Sequence, residues 1–259
     1  MFKRAAVLVV SCGALLAGCD TGPRVENEEI ISNLMEAGFP ADTITTADNA
    51  VYVGRDAHVS LEASREMLQP AEGSHEQYRT TNVVSTSLTK ICITPSSTFN
   101  TYNRLVQGLD LAIENFNAVG LCFTLVRGST TGCSAVITAQ TMAGIDGTTG
   151  FPSGGRPAAN ISIGTGLNST TYSLDKIEYV ITHTLGHAFG FRHSDFYNQT
   201  ISCGTGGNEG SAGVGAIHIP GTPTTSTAGA SLMNACPLAN ETGEFTSSDI
   251  TALRNLYGC

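Results

Sequence analysis

The stretch Ile181-Thr182-His183-Thr184-Leu185-Gly186-His187-Ala188-Phe189-Gly190-Phe191-Arg192-His193-Ser194-Asp195 holds three of the chain's six histidines. His183 and His187 are four apart, so on a helix they share one face, one turn apart. Gly190 ends that helix, because glycine tolerates the left-handed backbone of a helix C-terminus. The chain then turns back and brings His193 toward the first two. Three imidazoles around one point, with a position left over, are the ligand count of a catalytic zinc.

The spacing H-x3-H-x2-G-x2-H resembles the metzincin metallopeptidases, and most closely the family of dual-action HEIGH metallopeptidases. A second resembling word, Ser231-Leu232-Met233-Asn234-Ala235-Cys236, follows about 40 residues later and is similar to the Met-turn beneath the metzincin zinc. The resemblance runs from about Gln77 to the C-terminus. It implies that His183, His187 and His193 hold Zn2+, that Met233 shapes the floor below the metal without ligating it, and that the substrates are peptides or proteins. Asp195, two residues after the third histidine, is a candidate acceptor that would fix a ligand tautomer.

The resemblance breaks at one position. The family has glutamate after the first histidine, as the general base that takes a proton from water at the metal. Here that position is Thr184, and a hydroxyl is far too weak a base. Proton transfer by a placed side chain is typically worth ~10²–10⁴-fold, so the sequence predicts a complete metal cage with impaired catalysis. Two readings follow: a slow zinc metallopeptidase, or a non-catalytic pseudo-peptidase that binds extended peptides. A metal-free structural lipoprotein is a third. Asp195 and Glu209 are the nearby loop carboxylates that could stand in for the base, and their spacing places neither at the metal.

Composition narrows the field. The formal net charge is −9 and only 14% of residues are charged, so the basic footprint of a nucleic-acid binder is absent. Ser87-Leu88-Thr89-Lys90 matches the serine-hydrolase S-x-x-K word but lies in a predicted strand without its partner motifs. Lys3 and Arg4 precede the apolar run Ala5–Ala17, which is too short to span a membrane and reads as an export signal. It ends in Leu16-Ala17-Gly18-Cys19, which resembles a bacterial lipobox. Residues 1–18 are thus expected to be removed, taking the charge to −11 with the loss of Lys3 and Arg4. Cys19 would carry the lipid, and the product would be a monomer tethered to the membrane in the bacterial cell envelope. Of the eight cysteines, Cys12 falls in the signal. The six beyond Cys19 suit disulfides in an exported chain. The expected pairs are Cys122–Cys133 across a strand pair, Cys203–Cys236 between the loop after the zinc helix and the Met-turn, and Cys92–Cys259 as the remainder.

Residues 19–77 read as a tether and pro-region. Ile30 and Leu34 fall on one face of a helix over Glu26–Ala37, Ile44–Val59 reads as a hairpin turning at Asp48-Asn49, and Ser60 caps a short helix. Val53-Gly54-Arg55-Asp56 is loosely similar to the pro-regions in which an aspartate blocks the zinc, which makes Asp56 a candidate switch. In residues 78–259 strands are expected at Val83–Ile93, Leu121–Val126, Ser134–Ala139 and Asn160–Ile163, with helices at Phe99–Phe116, Leu174–Phe189 and Asp249–Leu256. Ser97, Ser173 and Ser247 or Ser248 would cap those helices. By resemblance, Asn160–Gly164 is the edge strand that pairs with substrate. The fold class is α+β, a metzincin-like two-lobed domain with a mixed sheet, zinc helix, Met-turn and C-terminal helix.

Overall fold

A computed structural model describes residues 23–47, 49–53, 56–68, 76–128 and 131–259. The expected signal, Cys19, Asp48, Gly54-Arg55 and His75 lie outside the described residues.

The first unit is small. Helix α1 (Pro23–Glu36) is followed by β1 (Thr45–Ala47), β2 (Ala50–Val53), β3 (Ala57–Val59) and α2 (Leu61–Glu66). The three strands form an antiparallel sheet in chain order. Asn49 sits at φ 61 in the β1–β2 turn, a conformation that asparagine tolerates better than most residues. The Ser60 hydroxyl accepts from the Ala63 amide at 3.2 Å and caps α2. Ile30, Leu34, Phe39, Val51, Val53, Val59 and Met67 bury one another. One member of that cluster, Ala212, comes from far along the chain, and Val214 packs beside it.

The larger unit is built on a five-stranded sheet. After β4 (Tyr78–Arg79) come β5 (Lys90–Pro95), α3 (Asn103–Ala118), β6 (Thr124–Arg127), β7 (Ala135–Met142), β8 (Gly147–Thr149) and β9 (Asn160–Gly164). Strand order is β6-β5-β7-β9-β8. The first four run parallel and β8 runs antiparallel to β9. Then follow α4 (Leu174–Ala188), α5 (Thr200–Cys203), β10 (Ile217–His218) and α6 (Ser247–Tyr257). β10 pairs with β4. Ile91, Ile93, Ile137, Ile161 and Ile163 of the sheet, with Leu105, Leu109 and Phe116 of α3 and Ile177, Ile181 and Leu185 of α4, make one core. α4 is capped as read: the Ser173 hydroxyl accepts from the Lys176 amide at 3.0 Å. The fold class is α+β, with a five-stranded mixed sheet and six helices among the described residues. Among the described residues no helix is long and apolar enough to cross a membrane.

Several local expectations are corrected. β5 starts at Lys90, not Val83, because Ser85 and Ser87 bond each other at 2.8 Å and the Leu88 amide donates to the Ser85 carbonyl, closing a turn instead. Ser96, not Ser97, accepts from the Phe99 amide at 3.1 Å, and it opens a 3₁₀ turn ahead of α3. Thr246 caps α6 in a reciprocal box with Asp249. β9 is flanked by β7 and β8, so Asn160–Gly164 has no free edge; the open edge belongs to β8.

The disulfides join Cys92 to Cys133, Cys122 to Cys259 and Cys203 to Cys236, with Cα separations of 5.8, 5.1 and 5.1 Å. The expected pairs Cys122–Cys133 and Cys92–Cys259 are therefore replaced, and topology gives the reason. β6 and β7 lie on opposite sides of β5, so β5 separates Cys122 from Cys133. Cys133, just ahead of β7, faces Cys92 on β5. The Cys122 amide donates to the Tyr257 carbonyl at 2.8 Å, which sets Cys122 beside Cys259.

Candidate metal centre

α4 is buried along nearly its whole length from Ile177 to Ala188. It carries His183 and His187 on one face. Gly190, at φ +98, turns the chain so that the Phe191 amide donates to the Gly186 carbonyl at 3.0 Å. His193 then returns to the pair. His193 Nε2 lies 3.3 Å from Nε2 of both His183 and His187. The rings are buried, at 5%, 1% and 0% exposure for His183, His187 and His193.

The opposite ring nitrogens explain this convergence. His183 Nδ1 donates to the Leu232 carbonyl at 2.9 Å and His187 Nδ1 to the Phe191 carbonyl at 2.7 Å. His193 Nδ1 donates to Glu209 Oε1. These oxygens only accept, so in each ring, when neutral, Nδ1 keeps the proton and Nε2 is left to present a lone pair. Three lone pairs facing one another at such distances repel unless a cation joins them, so the donor set fits a metal ion.

Asp56 completes the set. Its carboxylate, 7% exposed, lies 2.8 Å from His183 Nε2, 3.4 Å from His187 Nε2 and 3.1 Å from His193 Nε2. All four ligand atoms fall within 4.8 Å of one another. Burial pushes the Asp56 carboxyl up, but His183, His193 and His187 together hold it well below the usual carboxylate range.

The floor is the turn at Ser231–Ala235. Met233 is buried and its sulfur packs on Gly186 of α4. Asp249 of α6 accepts from the Leu232 amide at 2.8 Å, anchoring the residue whose carbonyl receives the His183 proton. Asp195 works elsewhere than expected. It accepts from the Ala235 amide at 2.9 Å and the Ser202 hydroxyl at 2.6 Å. It therefore ties the turn to α5 rather than fixing a histidine tautomer.

The carboxylate that does bond a ligand is Glu209. It also accepts from Gln199 and, at 3.0 Å, from Arg192. Burial alone would raise it, but His193 and then Arg192 bring it down to about 2. Arg192 is itself fully buried, donating to the Ser211 and Gly215 carbonyls at 2.8 and 2.9 Å. By sequence, Glu209 is marked only as a candidate substitute for the base. Its role was invisible because Cys203–Gly215 has no periodicity. The one available signal was an arginine and a glutamate inside otherwise apolar or glycine-rich surroundings.

Thr184 is 1% exposed and its hydroxyl donates to the Val180 carbonyl at 2.7 Å within α4. Gly147 of β8 lies so close that a Cβ there would collide with that hydroxyl. A cavity of about 30 Å³ adjoins Thr184, lined also by Asp56, His183, Tyr179 and Asp146. Asp146 is a carboxylate near the centre that the sequence did not single out. It precedes a three-residue polar strand that no pattern marked. β3, which follows Asp56, lies beside β8.

One comparison with known proteins shows the family. The family described as "Dual-action HEIGH metallo-peptidase" matches residues 51–257. The match begins ahead of Asp56, some way before the Gln77 start expected from the motifs. A solved structure described as "Structure of myroilysin" aligns with a TM-score of 0.41 at 10% identity, covering 70% of this chain and 98% of that one. No curated protein sequence matches this chain.

Proposed function

This chain belongs to the dual-action HEIGH metallo-peptidase family, and on that premise we propose that it is a zinc metallopeptidase for protein or peptide substrates, kept latent by Asp56 and slowed by Thr184. The observation that carries the reading is the convergence of three histidine Nε2 atoms on one point. The set of three imidazoles suits zinc among the divalent metals. When bound, zinc supplies Lewis acidity toward a carbonyl and toward water.

The chain's own groups supply the rest. The Leu232 and Phe191 carbonyls and Glu209 hold the Nδ1 protons and so fix each ring's orientation. Asp56 takes the position that a catalytic site keeps open, which makes a closed four-ligand set. Access then requires the β2–β3 turn to withdraw. An extended peptide would add to the outer edge of β8, beside which β3 now lies. Thr184 offers a hydroxyl already donated within its helix, so it is no proton acceptor. That same fact favours a second reading, a zinc-containing pseudo-peptidase that binds extended peptides without cutting them. Export, lipidation at Cys19, a place in the bacterial cell envelope and a monomeric state complete the proposal, on the N-terminal signal described above.

The test uses the full chain loaded with zinc. Asp56→Ala should cleave an unstructured protein slowly and stop with chelator, while the unsubstituted chain stays silent. Zinc and peptide binding without cleavage in Asp56→Ala would select the pseudo-peptidase. Failure of either protein to retain zinc would sink both readings. Labelled fatty acid entering the wild-type chain but not Cys19→Ala would test the anchor.

A further inference from the structure

The loop 204–215 touches both units. Six of its twelve residues are glycine: 204, 206, 207, 210, 213 and 215. Such a chain has much conformational freedom to lose on ordering. On one side it serves the metal centre, since Glu209 accepts from His193 Nδ1 and its amide donates to the Phe196 carbonyl at 2.7 Å. On the other side its two apolar side chains leave the main core altogether. Ala212, 6% exposed, belongs to the N-terminal unit's apolar cluster, and Val214 packs against that cluster. Gly207 lies so close to that unit that a Cβ would collide with the Ala37 carbonyl and press the Phe39 ring at 3.3 Å.

Ala212 also has φ +53. An L-residue other than glycine stays in that region only where its surroundings over-determine it. Here those surroundings include the N-terminal cluster. The main-domain anchors of the loop are polar: Arg192 to the Gly210, Ser211 and Gly215 carbonyls, and the Thr81 amide to the Val214 carbonyl at 2.7 Å. Among the described residues, the apolar cluster that takes Ala212 and Val214 is otherwise drawn from residues 30–67.

We propose that the N-terminal unit is a working part of the metal centre: its apolar core anchors the glycine-rich loop, and the loop's Glu209 holds His193 in its ligating orientation. Glu209 is then a positioning residue, and the unit supports the third ligand while Asp56 covers the fourth position. Opening the site by withdrawing Asp56 keeps that support; excising the whole unit loses it. The family match, which begins at residue 51, already includes β3 and all but the first residue of β2. This inference rests on the reading that the three histidines hold a metal.

Cobalt(II) binding to the full-length chain, followed by visible absorption, tests it. Gly207→Ala wedges the loop away from the N-terminal unit without touching a ligand. It should weaken cobalt affinity about tenfold, the lower end of what losing a partner of a metal-bound histidine costs, and it should shift the absorption band. Gly150→Ala, at an exposed glycine with open space around it, should do neither. Glu209→Gln should weaken binding by a similar factor, and adding Gly207→Ala to it should weaken binding no further. Wild-type affinity in Gly207→Ala, or losses that multiply in the double variant, would overturn the proposal. If circular dichroism shows Gly207→Ala to be unfolded, Val214→Ala decides: several-fold weaker binding supports the anchor and unchanged binding refutes it. If the wild-type chain itself takes no cobalt, the metal-centre reading falls and this one with it.

Discussion

Restoring the missing carboxylate should restore catalysis, but only where Asp56 is also removed. Glutamate at position 184 carries about two more heavy atoms than threonine. The cavity beside Thr184, about 30 Å³, has room for about two waters, so the longer side chain fits without opening the core. Gly147 packs closely on the Thr184 hydroxyl, so the longer side chain must extend into the cavity rather than past β8. In the otherwise unsubstituted chain the new carboxylate would face Asp56, a second acid beside the same histidines, and the fourth position would stay closed. Thr184→Glu alone should therefore remain inactive. In the Asp56→Ala background it should raise kcat by about 10²–10⁴-fold, equivalent to about 3 to 5 kcal/mol of barrier. The assay is hydrolysis of an unstructured protein by the zinc-loaded single and double variants, with zinc content measured on the same samples. A double variant no faster than Asp56→Ala at equal zinc content would refute the reasoning, because the base would then not be what this chain lacks.

Metal binding should appear as stability. At about 1,000 times its Kd, zinc adds about 4 kcal/mol, or about 8–16 °C in Tm for a chain of this size; a Tm indifferent to chelator would contradict the site. Glu76 offers a pH test. Its carboxyl is buried at 2% exposure with Oε1 unpartnered, and burial first, then Asp249, raises it from 4.5 to about 7. Between those values the folded carboxyl keeps a proton that the unfolded one has lost, so stability falls as pH rises through that window, by at most about 3 kcal/mol. Glu76→Gln should remove this slope, raising Tm at pH 8 and leaving it nearly unchanged at pH 4; an equal effect at both would exclude the cause. Joint replacement of Cys122 and Cys259 by serine releases a loop with ends 137 residues apart, worth about 5 kcal/mol by chain entropy. Tm should drop by about 10–20 °C, and non-reducing peptide mapping of the wild type should recover Cys122 linked to Cys259.

What was legible in the sequence was local. His183 and His187 face one way because a helix repeats every 3.6 residues, and Gly190 and His193 are close enough along the chain for one turn to join them. The boundaries of α4 and the α+β class follow from the same kind of pattern. The disulfides were not legible, because pairing Cys92 with Cys133 depends on β5 lying between β6 and β7, a fact of strand order that no spacing encodes. β8 escaped notice because Gly147-Thr148-Thr149 is short and has no apolar alternation, and with it went the true edge of the sheet. Glu209 escaped because its partner lies 16 residues away across a segment whose one regular piece is the four-residue α5. Asp56 could be suspected only from a loose likeness in four residues; its approach to three histidines more than a hundred positions away is a matter of tertiary packing.

On the proposed reading, Asp56 is also a ligand that cannot diffuse away. Carried on the same chain and held within 3.4 Å of each histidine, it meets the centre at an effective concentration on the order of millimolar or higher. Any soluble carboxylate, chelating inhibitor or peptide competes against that standing concentration, not against water. Its apparent affinity is scaled down by the fraction of molecules in which the β2–β3 turn has swung clear. Inhibitor titrations on this chain would therefore report the opening equilibrium as much as the strength of the inhibitor.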